Sequence, residues 1–200
     1  MKKTIILLIV AFLCFSLYSY NDDILKNVEN RYKNFISFEA TIIQTNYFTQ
    51  LDYSLDSSGK VYMQNNNFVI EYQLPFYQFI KLKSGELTIY LDNEKTGIIS
   101  NESDIYALAM FQFSKILNND LNYFRKTANL LEFEVLTSIP NINNLRIFIC
   151  EINELIEKIV YLDETENQVS IEFKNQLFNQ PLSRDIDSFS IPSDASIIRQ

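Results

Sequence analysis

The sequence predicts a mainly β fold with helical additions: an antiparallel meander curved into an open or closed barrel, helices laid on one face. Three observations carry this. Ten or eleven short runs of strand character follow one another at regular spacing. Apolar stripes of helical period stand in front of them and in their middle. Polar turn clusters, many of them Asn-rich, separate the runs.

The elements are taken in chain order. Ile24, Leu25, Val28, Tyr32, Phe35 and Ile36 recur at spacings of one, three and four, a single helical stripe, and Asn21, Asp22 and Asp23 supply a cap and favourable charge at its start. Residues 37–48, rich in Phe, Ile, Thr and Tyr, read as a strand. Ser57-Ser58-Gly59 reads as a turn leading into a strand at 60–64. In 67–73, Phe68, Ile70 and Tyr72 alternate with Val69 and Glu71, and Pro75 ends the run. Ser84-Gly85 between 77–83 and 86–91 is a hairpin signal, and 97–100 adds a short strand after a polar turn. The middle changes period. Ile105, Leu108, Ala109, Phe113, Ile116 and Leu117 fit a helix capped by Ser103 or Asp104, and Leu121, Phe124, Ala128 and Leu131 continue helical spacing. Strands return at 132–138, 145–152, 157–162 and 168–174, with a last one around 186–191 before Pro192.

The amino end reads as an export signal. Lys2 and Lys3 precede eleven unbroken apolar residues, Ile5–Phe15, too short a run to span a bilayer comfortably. Small residues follow at Ser16 and Ser19, so the division expected is a signal over 1–19 and one domain over 20–200. An uncleaved anchor and lipidation at Cys14 are the alternatives, the second disfavoured by bulky Leu13. Residues 1–19 hold two lysines and no acid, so their removal deepens the net charge from −8 to −10. Only Cys150 then remains, and an internal disulfide is excluded. The acidic balance argues against nucleic acid as a partner.

Composition narrows the chemistry further. The chain has no histidine, which excludes a Ser-His-Asp triad, a Cys-His dyad and any His-ligated metal. Two cysteines cannot build a four-cysteine site. Gly59, Gly85 and Gly97, the only glycines, are too dispersed for a phosphate-binding loop. No catalytic residue, metal or cofactor is expected. Glu71, Glu86, Asp92, Glu132 and Glu134 lie near strands, but nothing in their spacing singles out a glycosidase pair, and solvated surface positions are expected for them. The inward positions Phe38, Ile42, Phe68, Ile70, Tyr72, Ile80, Leu82, Leu87 and Ile89 form either a filled core or the wall of a cavity.

The order of segments resembles the outer-membrane lipoprotein carrier proteins, the LolA-like periplasmic chaperones. After the first helix, Phe38-Glu39-Ala40-Thr41-Ile42-Ile43-Gln44 is similar to that family's Phe-x-Ala-x-Phe-x-Gln strand. Gly59-Lys60-Val61-Tyr62-Met63 resembles its Gly-x-Leu-x-Val run, and Phe68 to Pro75 its Phe-Arg-Trp-x-Tyr-x-x-Pro. Gln78 to Lys83, Ser84-Gly85 and Leu87 to Asp92 resemble its Asp-Gly hairpin; Phe133 to Pro140 and Phe189-Ser190-Ile191-Pro192 also fit.

The resemblance implies an unclosed barrel of about eleven strands, with a helical lid over a hydrophobic cavity that takes the acyl chains of lipoproteins. The nine inward residues would line it, and Ile105, Leu108, Phe113 and Ile116 would form the underside of the lid. It further implies a monomer in the periplasm, loaded by an inner-membrane lipoprotein-releasing transporter and unloaded by an outer-membrane acceptor. Two departures stand out. Gln64-Asn65-Asn66-Asn67 lacks the family's Arg-Pro before the Phe68 strand, leaving Gln64 as the candidate lid-closing polar contact, and Ile70 replaces the usual tryptophan. A periplasmic sensor on the same half-barrel is the alternative. A hydrolase of envelope glycan would need two carboxylates in the main cleft.

Overall fold

A computed structural model describes residues 23–100, 113–117, 119–136 and 142–200. The expected export signal, the caps at Ser103 and Asp104, and the lid residues Ile105 and Leu108 lie outside these. The described chain begins with helix α1, residues 23–33. Six strands follow: β1 (Ser37–Phe48), β2 (Tyr53–Gln64), β3 (Asn67–Leu74), β4 (Gln78–Lys83), β5 (Glu86–Leu91) and β6 (Thr96–Ser100). After the short helix α2 (Phe113–Leu117) come β7 (Asp120–Thr127), β8 (Leu130–Leu136), β9 (Asn143–Cys150), β10 (Leu155–Leu162), β11 (Gln168–Phe178) and β12 (Ser196–Arg199).

All twelve strands belong to one sheet in the order β12-β6-β5-β4-β3-β2-β1-β11-β10-β9-β8-β7. Two meanders, β1–β6 and β7–β11, are thus joined by antiparallel pairing of β1 with β11. β12 adds to the free edge of β6 and runs parallel to it. β12 and β7 end the order without meeting, so the sheet is unclosed. It also curls. Tyr72 on β3 and Tyr161 on β10 are four positions apart, about 19 Å on a flat sheet at ~4.8 Å per strand, yet they face closely enough to couple electrostatically.

Local chemistry explains the hairpins. Asn65 and Asn66 both have positive φ, 50° and 65°, as do Ser84 and Gly85 at 53° and 84°. These are two-residue turns, closed by Gln64↔Asn67 and Lys83↔Glu86. Left-handed central residues match the turn to the strand twist, and Asn and Gly adopt them most cheaply. The Asn-rich stretch Gln64-Asn65-Asn66-Asn67 is therefore the tip of the β2–β3 hairpin.

Four sequence expectations are corrected. Leu121, Phe124 and their neighbours form strand β7, not helix. The Ser57-Ser58-Gly59 stretch lies inside β2, which starts at Tyr53. Residues 186–191 hold a 3-10 turn, Ile186–Ser188, and the last strand is Ser196–Arg199. The expected single meander is two meanders with a parallel edge strand, twelve strands among the described residues.

Apolar side chains gather on both sides of the sheet. The larger core lies on the concave side and takes in Ile24, Val28 and Tyr32 of α1 and Phe113, Ile116 and Leu117 of α2. The smaller lies on the convex side, where Tyr62, Val69, Phe79 and Tyr90 are covered by Ile186 and Phe189 of the carboxy-terminal segment. The alternation of β3 separates them, with Phe68, Ile70 and Tyr72 on one face and Val69 and Glu71 on the other.

Candidate functional site

The structure brings the expected lining residues together. Phe38 and Ile42 on β1, Phe68, Ile70 and Tyr72 on β3, and Leu87 on β5 are buried in the concave core. Ile80 and Leu82 on β4 and Ile89 on β5 pack against it, half-buried. Cross-strand registers explain the match: Ile70↔Ile80↔Ile89 and Phe68↔Leu82↔Leu87 place apolar residues side by side on one face. Phe113 and Ile116 are buried in the same core, beneath α2. Gln64 is exposed at the end of β2, between Ser37 and Asn67.

The face is larger than the motifs indicated. Leu131 and Phe133 of β8, Ile147 and Ile149 of β9, and Ile171 and Phe173 of β11 complete it from the second meander. Their period-two alternation was legible, but not that β11 would pair with β1 and continue the surface. The cover is aromatic at its centre. The Phe113 ring lies 4.8 Å from Tyr32, 5.5 Å from Phe38 and 5.4 Å from Phe173, centroid to centroid, tilted or edge-on as ring quadrupoles favour.

Few polar groups interrupt this surface, and among the described residues no fully buried side-chain polar atom lacks a partner. Tyr72 donates to Gln44 Oε1 at 2.6 Å, and burial, with Tyr161 opposite, raises its pKa. Burial, with Asp163 nearby, pushes Tyr161 up to about 12. Both phenols stay protonated at neutral pH, so neither is poised for acid–base chemistry. Among the described residues, no three potential metal ligands cluster.

The carboxylates depart from expectation in an informative way. Glu71 and Glu132 are each only 3 % exposed rather than solvated, and Glu39 is buried as well. All three alternate away from the concave face. Glu71 accepts from Arg184 Nη1 at 2.5 Å and from the Tyr62 hydroxyl at 3.2 Å. Glu39 binds Lys60 at 2.9 Å, the Ser183 amide at 2.7 Å and the Ser183 hydroxyl at 2.6 Å. Glu132 lies between Arg125 and Arg146. Each of these three carboxylates is spent on a cation or on the carboxy-terminal segment, and none of the three faces the concave side. The Ser183 partner of Glu39 and the Arg184 partner of Glu71 lie 144 and 113 residues away in sequence, so no local signal could announce these two.

The arrangement defines a class: an unclosed β half-barrel whose apolar concave face lies beneath helices. No family model matches the chain. Its sequence is 26 % identical, over 152 residues, to an outer-membrane lipoprotein carrier protein of Campylobacter jejuni, with 76 % of this chain and 83 % of that protein covered. An uncharacterized conserved protein of Thermus thermophilus shares the fold, with a TM-score of 0.58, 14 % identity, and coverage of 90 % of this chain and 99 % of that one. A looser likeness, at a TM-score of 0.44, 10 % identity, and coverage of 80 % and 94 %, is to a LolA superfamily protein of Nitrosomonas europaea. The sequence match supports a LolA-like family for this chain.

Proposed function

We propose that the protein is a periplasmic carrier that takes the acyl chains of lipoproteins onto its concave face and conveys them from the inner to the outer membrane. The observation that carries this is the nature of the contact between cover and sheet. α2 presents Phe113, Ile116 and Leu117 to the face, and the face answers with Phe38, Ile42, Ile70 and their neighbours. Such contacts lack direction, so a hydrocarbon chain can replace the cover without loss of a specific bond.

Energetics give the reason for a carrier. Exposure to water costs about 0.8 kcal/mol per CH₂, so tens of kcal/mol oppose the unaided transit of an acylated anchor. A surface that imitates the bilayer interior removes that penalty and leaves exchange close to neutral. Catalysis is not required, and the protein acts without a cofactor. Residues 1–19 serve as the export signal, residues 20–200 form the carrier domain, and an inner-membrane releasing transporter and an outer-membrane acceptor are its partners. Gln64 takes the place of the family's arginine as a weaker contact to the lid.

The test is loading. Protein incubated with a triacylated lipoprotein, freed of detergent and separated by size, should hold the lipoprotein, as read by intact mass spectrometry. Ile70→Glu, which sets a carboxylate in the face, should not. Recovery of empty protein in both cases sinks the reading. A loaded protein that keeps its cargo when acceptor-bearing vesicles are added would instead match the sensor alternative.

A further inference from the structure

The ladder between β10 and β11 stops before the strands do. Their pairing runs from Leu162↔Gln168 to Lys158↔Glu172, although β10 begins at Leu155 and β11 continues to Phe178. Both strands keep their other neighbours, Leu155 and Ile156 on β9, Leu177 and Phe178 on β1. The wall is parted there rather than ended. The cause lies in β11, which carries one extra residue against β1 between Lys174 and Leu177, with Asn175 at a φ of 52°. A bulge of this kind bends its strand.

Side chains take over the backbone bonding across the parting. The Ile156 amide donates to the Tyr32 hydroxyl at 2.9 Å, and the Ile156 carbonyl accepts from Gln176 Nε2 at 2.8 Å. Tyr32 in turn donates to Gln176 Oε1 at 2.5 Å. No backbone group of Ile156 is left wanting, so the gap persists without the cost of an orphaned polar group.

Over the parting lies a cleft of about 490 Å³, within the size range of small-molecule sites. Leu130, Leu155 and Phe173 give it hydrocarbon, and the Phe173 ring packs on Phe113 in the concave core. Its rim carries both signs of charge: Lys158 stands opposite Glu172 in the ladder, and Lys174 lies 3.2 Å from Glu172. Glu157 also lines the cleft, so a bare anion would meet two carboxylates, whereas a head group with both charges has a partner for each.

We propose that this cleft is a second ligand site, separate from the concave face, for a single-chain amphiphile whose head group carries both charges. Its tail lies on Leu130 and Leu155, and its head meets Lys158, Glu172 and Lys174. The proposal stands apart from the carrier reading and does not depend on it.

The experiment uses ¹⁵N-labelled protein and lysophosphatidylcholine bearing a nitroxide at the chain end, kept below its micelle concentration. Saturable broadening of the amides of 155–158 and 172–176 is expected, with at least tenfold weaker binding in Leu155→Glu. If that variant loses its cooperative unfolding transition, Leu155→Trp replaces it; the indole fills the cleft and excludes the probe. Broadening confined to β1, β3 and β5, or none that saturates, overturns the proposal. Lipoprotein loading of the same variant is read separately: a Leu155 variant that loads like the parent but loses the probe isolates the second site from the first.

Discussion

On the concave face, α2 is seated by Phe113, Ile116 and Leu117. On the convex face, the segment after β11 is seated by groups that each have one correct partner. Ser183 binds Glu39, Arg184 binds Glu71, Lys81 donates to the Phe189 carbonyl, and Lys83 pairs with Asp187. The Arg184 guanidinium also lies 3.8 Å over the Phe189 ring. Both covers exclude water, but only the second is tied to fixed acceptors. Hydrocarbon can stand in for the first cover and cannot stand in for the second. On the proposed carrier reading, the sheet opens on one side while keeping its curvature.

The largest expected effect is on the concave side. Phe38 is fully buried among the rings of Tyr32, Phe35, Phe113 and Phe178. Phe38→Ala is expected to cost ~3–5 kcal/mol in urea denaturation. A saturating hydrocarbon ligand should restore part of that, because it binds only the folded form. Failure of any such ligand to raise the midpoint would break the contrast between the covers. Arg184→Ala comes next. It strands the buried Glu71 carboxylate, and because Arg184 is itself partly solvated the cost is expected to be ~2–3 kcal/mol. Residues 179–195 should become sensitive to protease, and hydrocarbon should not reverse this. A smaller loss, ~1 kcal/mol, is expected for Gly97→Ala, whose new methyl would press on the Ile191 side chain of the convex cover.

The smallest effect is acid dependence. Burial works to raise the Glu39 pKa, but the Ser183 hydroxyl, Lys60 and the Ser183 amide outweigh it and hold the carboxyl below its ordinary value of 4.5. A group whose pKa is lowered by folding stabilises the fold fully above its unfolded pKa, and the contribution fades as pH falls through the folded one. The stability gap between the parent and Glu39→Gln should therefore stay constant from neutral pH to about 4.5 and shrink below it. A gap that widens on acidification would show that Glu39 is not held as described.

Legibility in the sequence followed local chemistry. β1, β3, β4 and β5 could be read because each alternates or is closed by a turn whose residues suit left-handed φ. β7 could not, because nearly all of this edge strand is exposed and no alternation marks it; Leu121 and Phe124 happened to fall at helical spacing. Ile186, Phe189 and Ile191 were apolar enough to suggest a strand, yet they pack as a cover without pairing. The lining of the first meander was visible in its motifs. Its continuation into β8–β11, the part played by the Tyr32 hydroxyl, and the burial of Glu39 and Glu71 against the carboxy-terminal segment all depend on contacts between residues more than a hundred positions apart.

The β1–β11 junction carries a consequence for how the molecule assembles. Nearly every other strand pairs with its sequence neighbour, contacts that close short loops and form quickly. Phe38↔Phe178 and Ile42↔Phe173 must instead close more than a hundred and thirty residues of chain, and topology of that kind slows folding. Until they meet, two curved half-sheets exist with their apolar faces open to water. The junction that makes the concave face continuous is thus also the step during which the newly made chain is most exposed to aggregation.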